Sequence, residues 1–234
     1  MDRHLAYPVL ANPEDRRDMA KNAFITWGGW DGHEPEQCAA LFAEVLRAEG
    51  YRVEVSDALD RLEDEAFACA QDLIVPAWTM SRISREQEAG LLKAVRSGTG
   101  CAGWHGGMGD SFRNNVEYQF MVGGQFICHP GGIIDYEVNL VGDDPIVAGL
   151  ADFRMHSEQY FMHVDPSNEV LATTRFSGEH WKVDWVKDVV MPVCWKKRYG
   201  EGRVFYSSLG HVASDFEVPE AKEIIKRGCL WATR

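Results

Sequence analysis

The chain has 234 residues, 45% hydrophobic and 26% charged, with a formal net charge of −12. That is an ordinary globular composition with enough apolar residues to bury a core. No run of Lys or Arg forms a basic stripe and no apolar run reaches the ~20 residues of a membrane span, so neither nucleic acid nor a membrane is an expected partner.

Residues 1–22, "MDRHLAYPVLANPEDRRDMAKN", read as a polar lead-in without the apolar stretch of a secretory signal. The six cysteines (Cys38, Cys69, Cys101, Cys128, Cys194, Cys229) form no C-x-x-C pair. Reduced thiols in a cytoplasmic protein are the expectation. Residues 23–234 read as one α/β domain.

"AFITWGG" (23–29) is a short apolar strand ending in glycines. "PEQCAALFAEVLRAEG" (35–50) follows as a helix, with Cys38, Leu41, Phe42, Val45 and Leu46 on one stripe and Gly50 as its stop. "YRVEVSD" is a second strand, "LEDEAFACA" a short helix and "DLIVPAW" (72–78) a third, buried strand. "SREQEAGLLKAVRSG" (84–98) is a helix with Ser84 as N-cap and Gly98 as stop, and "TGCAGWH" is a fourth strand that delivers His105 to its end. Alternating strands and helices with continuous apolar strands predict a parallel sheet covered on both faces. The second half predicts strands joined by turns ("GGIIDYEVNLVG", "FRMHSEQYFMHV", "EVLATTRF", "VVMPVCWKKRYG", "GRVFYSSLGH"), then a closing helix "PEAKEIIKRGCLWAT". These strands extend the sheet in antiparallel fashion.

In parallel sheets, ligands bind beyond the carboxyl ends of the strands. Four histidines stand in glycine-flanked loops: His33 in "DGHEP", His105 in "GWHGG", His129 in "CHPGG" and His211 in "SLGHVASD". Gly103-Trp104-His105-Gly106-Gly107 has the spacing of a nucleophile elbow, with histidine where a serine or cysteine would stand. Histidine there serves as a base or a metal ligand. His33, His105, His129 and His211 are candidate ligands of a divalent cation such as zinc or manganese, converging from separate loops because no short-spaced ligand motif is present. If "MHSEQYFMH" is extended, His156, Glu158 and Tyr160 share one face and Gln159, Phe161 and His163 the other. That trio reads either as a proton-transfer group or as a solvated sheet edge. Trp27, Trp30, Trp78 and Trp104 read either as flat faces in the rim loops or as core. Cys101, Cys128, Ser207 and Ser208 are weaker nucleophile candidates, because nothing beside them marks activation.

The chain resembles the ThuA-like (trehalose-utilisation) family of the class I glutamine amidotransferase-like superfamily. The resemblance rests on "GGWDGHEPEQ", "GCAGWHGG", "GGQFICHPGG", "SEQYFMH", "PVCWKKRYGEGRVFYSSLGH" and the helix ending "LWA", in order over residues 23–233. It implies a flavodoxin-like fold in which true amidotransferases carry a catalytic cysteine at the elbow. His105 at that place excludes a thioester glutaminase, and His211 stands where the superfamily's late histidine falls. The resemblance further implies a sugar-catabolic lyase or hydrolase, or an isomerase, acting on a 3-keto glycoside produced by a neighbouring NAD-dependent sugar dehydrogenase. His105, His211, Glu158 and Tyr160 are then the expected catalytic groups, with His33, Trp30, Trp78 and Trp104 on the substrate. The ketone acidifies the C2 proton, so a base can form an enediolate, expel the C1 substituent by β-elimination and let water add. A non-catalytic carbohydrate-binding protein on the same scaffold is the competing expectation, and a homo-oligomeric assembly is left open.

Overall fold

Ala23, Phe24, Ile25 and Thr26 are all buried, so the first strand, β1 (Asn22–Gly29), is covered on both faces, as its unbroken apolar run requires. The computed structural model describes residues 20–180 and 183–234; residues 1–19 of the expected lead-in lie outside the described residues. α1 (Pro35–Ala48) opens on Pro35, where a missing N–H is harmless, and buries Cys38, Phe42 and Leu46. β2 (Arg52–Ser56), α2 (Glu65–Ala70) and β3 (Leu73–Thr79) follow. α3 (Arg85–Arg96) begins with the expected Ser84 cap: Ser84 Oγ accepts from the Gln87 N–H, and the Gln87 side chain accepts from the Ser84 N–H. β4 (Gly100–Trp104) runs directly into a single turn, α4 (His105–Gly109). Then come α5 (Val116–Val122), β5 (Gly124–Cys128), β6 (Ile133–Leu140), β7 (Phe153–Glu158), β8 (Phe161–Val164), β9 (Glu169–Arg175), the hairpin β10 (Val190–Tyr199) and β11 (Gly202–Ser207), and α6 (Pro219–Ala232).

The main sheet has the order β2-β1-β3-β4-β11-β10-β9-β6-β7. The strands from β2 to β11 in that order are parallel, and those beyond β11 alternate in direction. This is the flavodoxin-like order carrying an antiparallel extension, as the sequence predicts. On one face α1 and α6 pack around Ile25, Phe42, Val75, Phe205 and Ile224. On the other, α2, α3 and α5 cover Phe24, Ile74, Leu91, Val95 and Tyr118. No helix among the described residues is long and apolar enough to cross a membrane.

β3 and β4 pair only at Leu73↔Gly100 and Ile74↔Cys101. Pro76, which has no N–H to give a ladder, lies just beyond. The strands part there and α4 fills the gap so closely that a Cβ on Gly107 would come within 2.9 Å of the Ala77 Cα. Beside α4, at the carboxyl ends of β1, β3 and β4, a small crevice is lined by His33, Thr79 and His105.

Two features differ from the sequence expectation. "FRMHSEQYFMHV" is not one strand: β7 ends at Glu158 in the main sheet, and β8 pairs instead with β5 in a separate ribbon. α5 and β5 carry no sequence signal, because a seven-residue helix and a half-buried strand leave no periodicity to read. The ribbon is pinned to the sheet by buried Lys197, whose Nζ donates to Asp165 Oδ2 (2.7 Å) and to the Phe120 carbonyl (2.8 Å). The Lys197 hydrogen bond holds the Asp165 carboxyl down to about 2. A lowered folded-state value makes this contribution complete above the unfolded value near about 4 and lost as pH falls through about 2. The melting temperatures of wild type and Asp165→Asn should thus differ at neutral pH and converge across that acid window.

Candidate metal centre

His105 follows β4 and opens α4 with φ +44°, the left-handed region that costs a non-glycine residue about 1–2 kcal/mol. The elbow spacing in the sequence thus corresponds to a strained backbone that lifts this side chain into the crevice. A carbonyl can only accept, so His105 Nδ1 carries the proton and donates to the Ser208 carbonyl (2.8 Å). In the neutral ring Nε2 then holds a lone pair, and it faces Glu158 Oε2 at 3.1 Å.

Two further histidines converge on the same oxygen. His33, in the short helix Asp31–His33 after β1, places Nε2 at 4.0 Å from Glu158 Oε2. Its Nδ1 lies 2.7 Å from Thr79 Oγ1. His211, in the loop after β11, places Nδ1 at 3.4 Å. Gly106 makes room for His33, because a Cβ there would run into the His33 ring. The three rings stand steeply to one another, with interplanar angles of 73°, 82° and 67°. The four donor atoms of His33, His105, His211 and Glu158 all lie within 4.8 Å of each other.

Electrostatics favour neutral His33 and His105 beside one carboxylate. Burial, followed by the neighbouring His105 and His211, pushes His33 down to about 3. Burial also pushes His105 down, against the opposing pull of Glu158 and the Ser208 carbonyl. Burial disfavours the charge on Glu158, yet its histidine neighbours, His105 and His211, hold its carboxyl below the usual range. Both directions leave His105 neutral and Glu158 ionised. That is the protonation state in which imidazoles and a carboxylate bind a divalent cation.

The donor set fits such an ion. Three imidazoles and one carboxylate suit zinc or a similar cation, and bonds of about 2.0–2.2 Å put tetrahedral donors roughly 3.3–3.6 Å apart. The observed 3.1, 3.4 and 4.0 Å bracket that spacing. His211 Nδ1 is buried with no hydrogen-bond partner, as expected of a nitrogen reserved for a metal. The Ser208 carbonyl on His105 and Thr79 Oγ1 on His33 are the outer partners that fix ring orientation around a cation.

The trehalose utilisation (ThuA) family model matches residues 22–232. The chain belongs to the ThuA family. Among solved structures it is similar to a protein described as ThuA-like from Bacteroides uniformis (TM-score 0.72, 14% identity, covering 96% of this chain and 94% of that one). A second, from Parabacteroides merdae, has TM-score 0.70 and 18% identity, covering 91% and 89%. A β-galactosidase from Bacillus circulans shares the fold over 30% of its length (TM-score 0.58, 14% identity, 91% of this chain). No curated protein sequence matches the chain.

Within this ThuA chain the remaining sequence candidates are placed as follows. His129 lies outside the four-donor set: its Nε2 faces the other Glu158 oxygen, Oε1, at 3.5 Å, and its side chain is 39% exposed. Tyr160 is buried with its ring 4.0 Å from that of His105, and burial holds its phenol well above the usual range. His156 does not join Glu158 and Tyr160. Its side chain is 71% exposed and bonded to Asp135, while Tyr160 lies beyond the end of β7. Trp104, expected on the substrate, is buried in the core, its ring packed against those of Phe42 and Phe216. Trp27 packs half-buried against the core, and Trp78 covers Gly28. Trp30 is 47% exposed and meets His33 edge-on at 4.7 Å. Cys101 is buried and pushed up to about 12, so it is no nucleophile; Cys128 is half-buried and also raised by burial.

Sequence reasoning missed the supports of the site: Thr79, Ser157, Asp215 and Glu34. Asp215 and Glu34 do stand in the motifs "SLGHVASD" and "DGHEP", but nothing in either motif marks a residue that bonds to backbone.

Proposed function

We propose that this chain is a divalent-cation-dependent enzyme of sugar catabolism, a lyase or hydrolase (or isomerase) acting on a 3-keto glycoside. The observation that carries the reading is the convergence of His33, His105, His211 and Glu158, with an unpartnered buried nitrogen among them. The family's link to trehalose utilisation supports a sugar as the substrate. A cation held there would polarise a ketone or hydroxyl oxygen. His105 then serves as a ligand, and His129, the solvent-open histidine beside Glu158, is the group assigned to proton exchange with the substrate. In that step the C2 proton passes to the base and its electron pair forms the C2–C3 double bond as the C3 carbonyl pair moves onto oxygen. The enolate then re-forms the C3 carbonyl, the C2–C3 pair becomes a C1–C2 double bond, and the C1 substituent leaves with the C1–O pair and takes up a proton. Water adds across C1–C2. Tyr160 remains a neutral phenol that walls the site. Trp30 offers its open face to a sugar ring beside His33.

The keto substrate implies a nicotinamide-dependent dehydrogenase acting upstream, and the six free thiols favour a cytoplasmic setting. The test is cleavage of a 3-keto disaccharide before and after chelator treatment, then with zinc or manganese restored. Activity that is lost to chelator and regained with metal is the expected result. Thermal stabilisation by sugars with no product from any keto glycoside would replace this reading by the non-catalytic one.

A further inference from the structure

Asp215 contributes no atom to the four-donor set, yet one of its oxygens joins two of the segments that carry those donors. Oδ2 accepts from Ser157 Oγ–H (2.6 Å) and from the His211 N–H (2.9 Å). Ser157 directly precedes Glu158 on β7, and His211 follows β11. β7 and β11 have β10, β9 and β6 between them in the sheet, so no ladder connects them. The Asp215 oxygen is a direct tie between them. Asp215 and Ser157 are both buried, which shields the two bonds from competition with water. Glu34 Oε2 accepts from the Ala213 N–H (3.0 Å), fastening the same loop to the residue after His33.

The His211 donor makes this tie consequential. Nδ1 is bonded to the ring carbon nearest the backbone, so a displaced backbone carries it along with little torsional freedom to compensate. Its 3.4 Å separation from Glu158 is therefore governed by where residues 211 and 157 are held.

We propose that Asp215 is a positioning residue that sets the spacing of His211 Nδ1 and Glu158, and with it the affinity and coordination geometry of the cation. The inference rests on the cation reading above. The test is zinc titration of metal-free wild type, Asp215→Ala, Asp215→Asn and Ser157→Ala against a competing chelator, together with the visible spectra of their cobalt(II) forms. Asp215→Ala should bind zinc about 10–100-fold more weakly and show a changed cobalt spectrum. Asp215→Asn, whose amide oxygen still accepts both bonds, should recover most of the affinity, and Ser157→Ala should fall between. A purely structural role would lower the melting temperature and leave affinity and spectrum at wild-type values, which overturns the proposal. Should Asp215→Ala fail to fold, unchanged affinity and spectrum in Ser157→Ala overturn it equally. A wild type that binds neither metal refutes the cation reading itself, a different result from a wild type that binds and variants that bind alike.

Discussion

Replacing Glu158 by glutamine is expected to abolish cation binding while the protein stays folded. Oε2 of Glu158 faces all three imidazole donors and its side chain is 9% exposed, so it is the one negative charge offered to an ion in the cluster. The amide keeps shape and volume but removes that charge. Loss of an outer partner costs about 10–100-fold in metal affinity, so loss of this direct ligand should exceed about 100-fold. Turnover of a keto glycoside should fall with it. In the metal-free protein the amide fills the same space, so the variant should still melt cooperatively. Zinc titration and thermal melts of both forms check the two halves of the expectation. Wild-type zinc affinity in Glu158→Gln would remove Glu158 from the site.

The second large effect is expected from Gly106→Ala. In a helical turn the change would ordinarily help by up to about 1 kcal/mol. Here the added Cβ lands on the His33 ring, which is itself held by Thr79, so the ring has to leave its place in the cluster. Overpacking of this kind costs about 1–3 kcal/mol, and the cation loses one of its nitrogen donors. The diagnostic is non-additivity. Gly106→Ala should weaken zinc binding strongly in wild type but hardly at all when His33→Ala is already present, since the two share one cause. Additive losses would show that Gly106 acts through some other contact.

How far the sequence discloses this molecule depends on the range of the forces involved. β1, β3, β4, α1 and α3 are legible because unbroken apolar runs and the Ser84 cap are local signals. His33, His105 and His211 are legible because parallel strands all deliver their carboxyl ends to one side, whereas His129 follows β5 of the separate ribbon. The break after Glu158 is not, since both halves of "FRMHSEQYFMHV" have strand-forming residues and the division is made by different partners, β6 for one and β5 for the other. For the same reason His156 reads as a companion of Glu158 and proves to be solvent-facing. Trp104 could be core or platform in sequence; Phe42 and Phe216, distant along the chain, decide for core. Asp215 and Glu34 are invisible because they act through bonds to backbone N–H groups that every residue has.

Anomalous scattering from a zinc- or manganese-soaked crystal tests the central claim most directly. The account predicts one strong peak about 2.0–2.2 Å from His33 Nε2, His105 Nε2, His211 Nδ1 and Glu158 Oε2. A fully occupied metal elsewhere, or no peak among these four side chains at saturating metal, would contradict it.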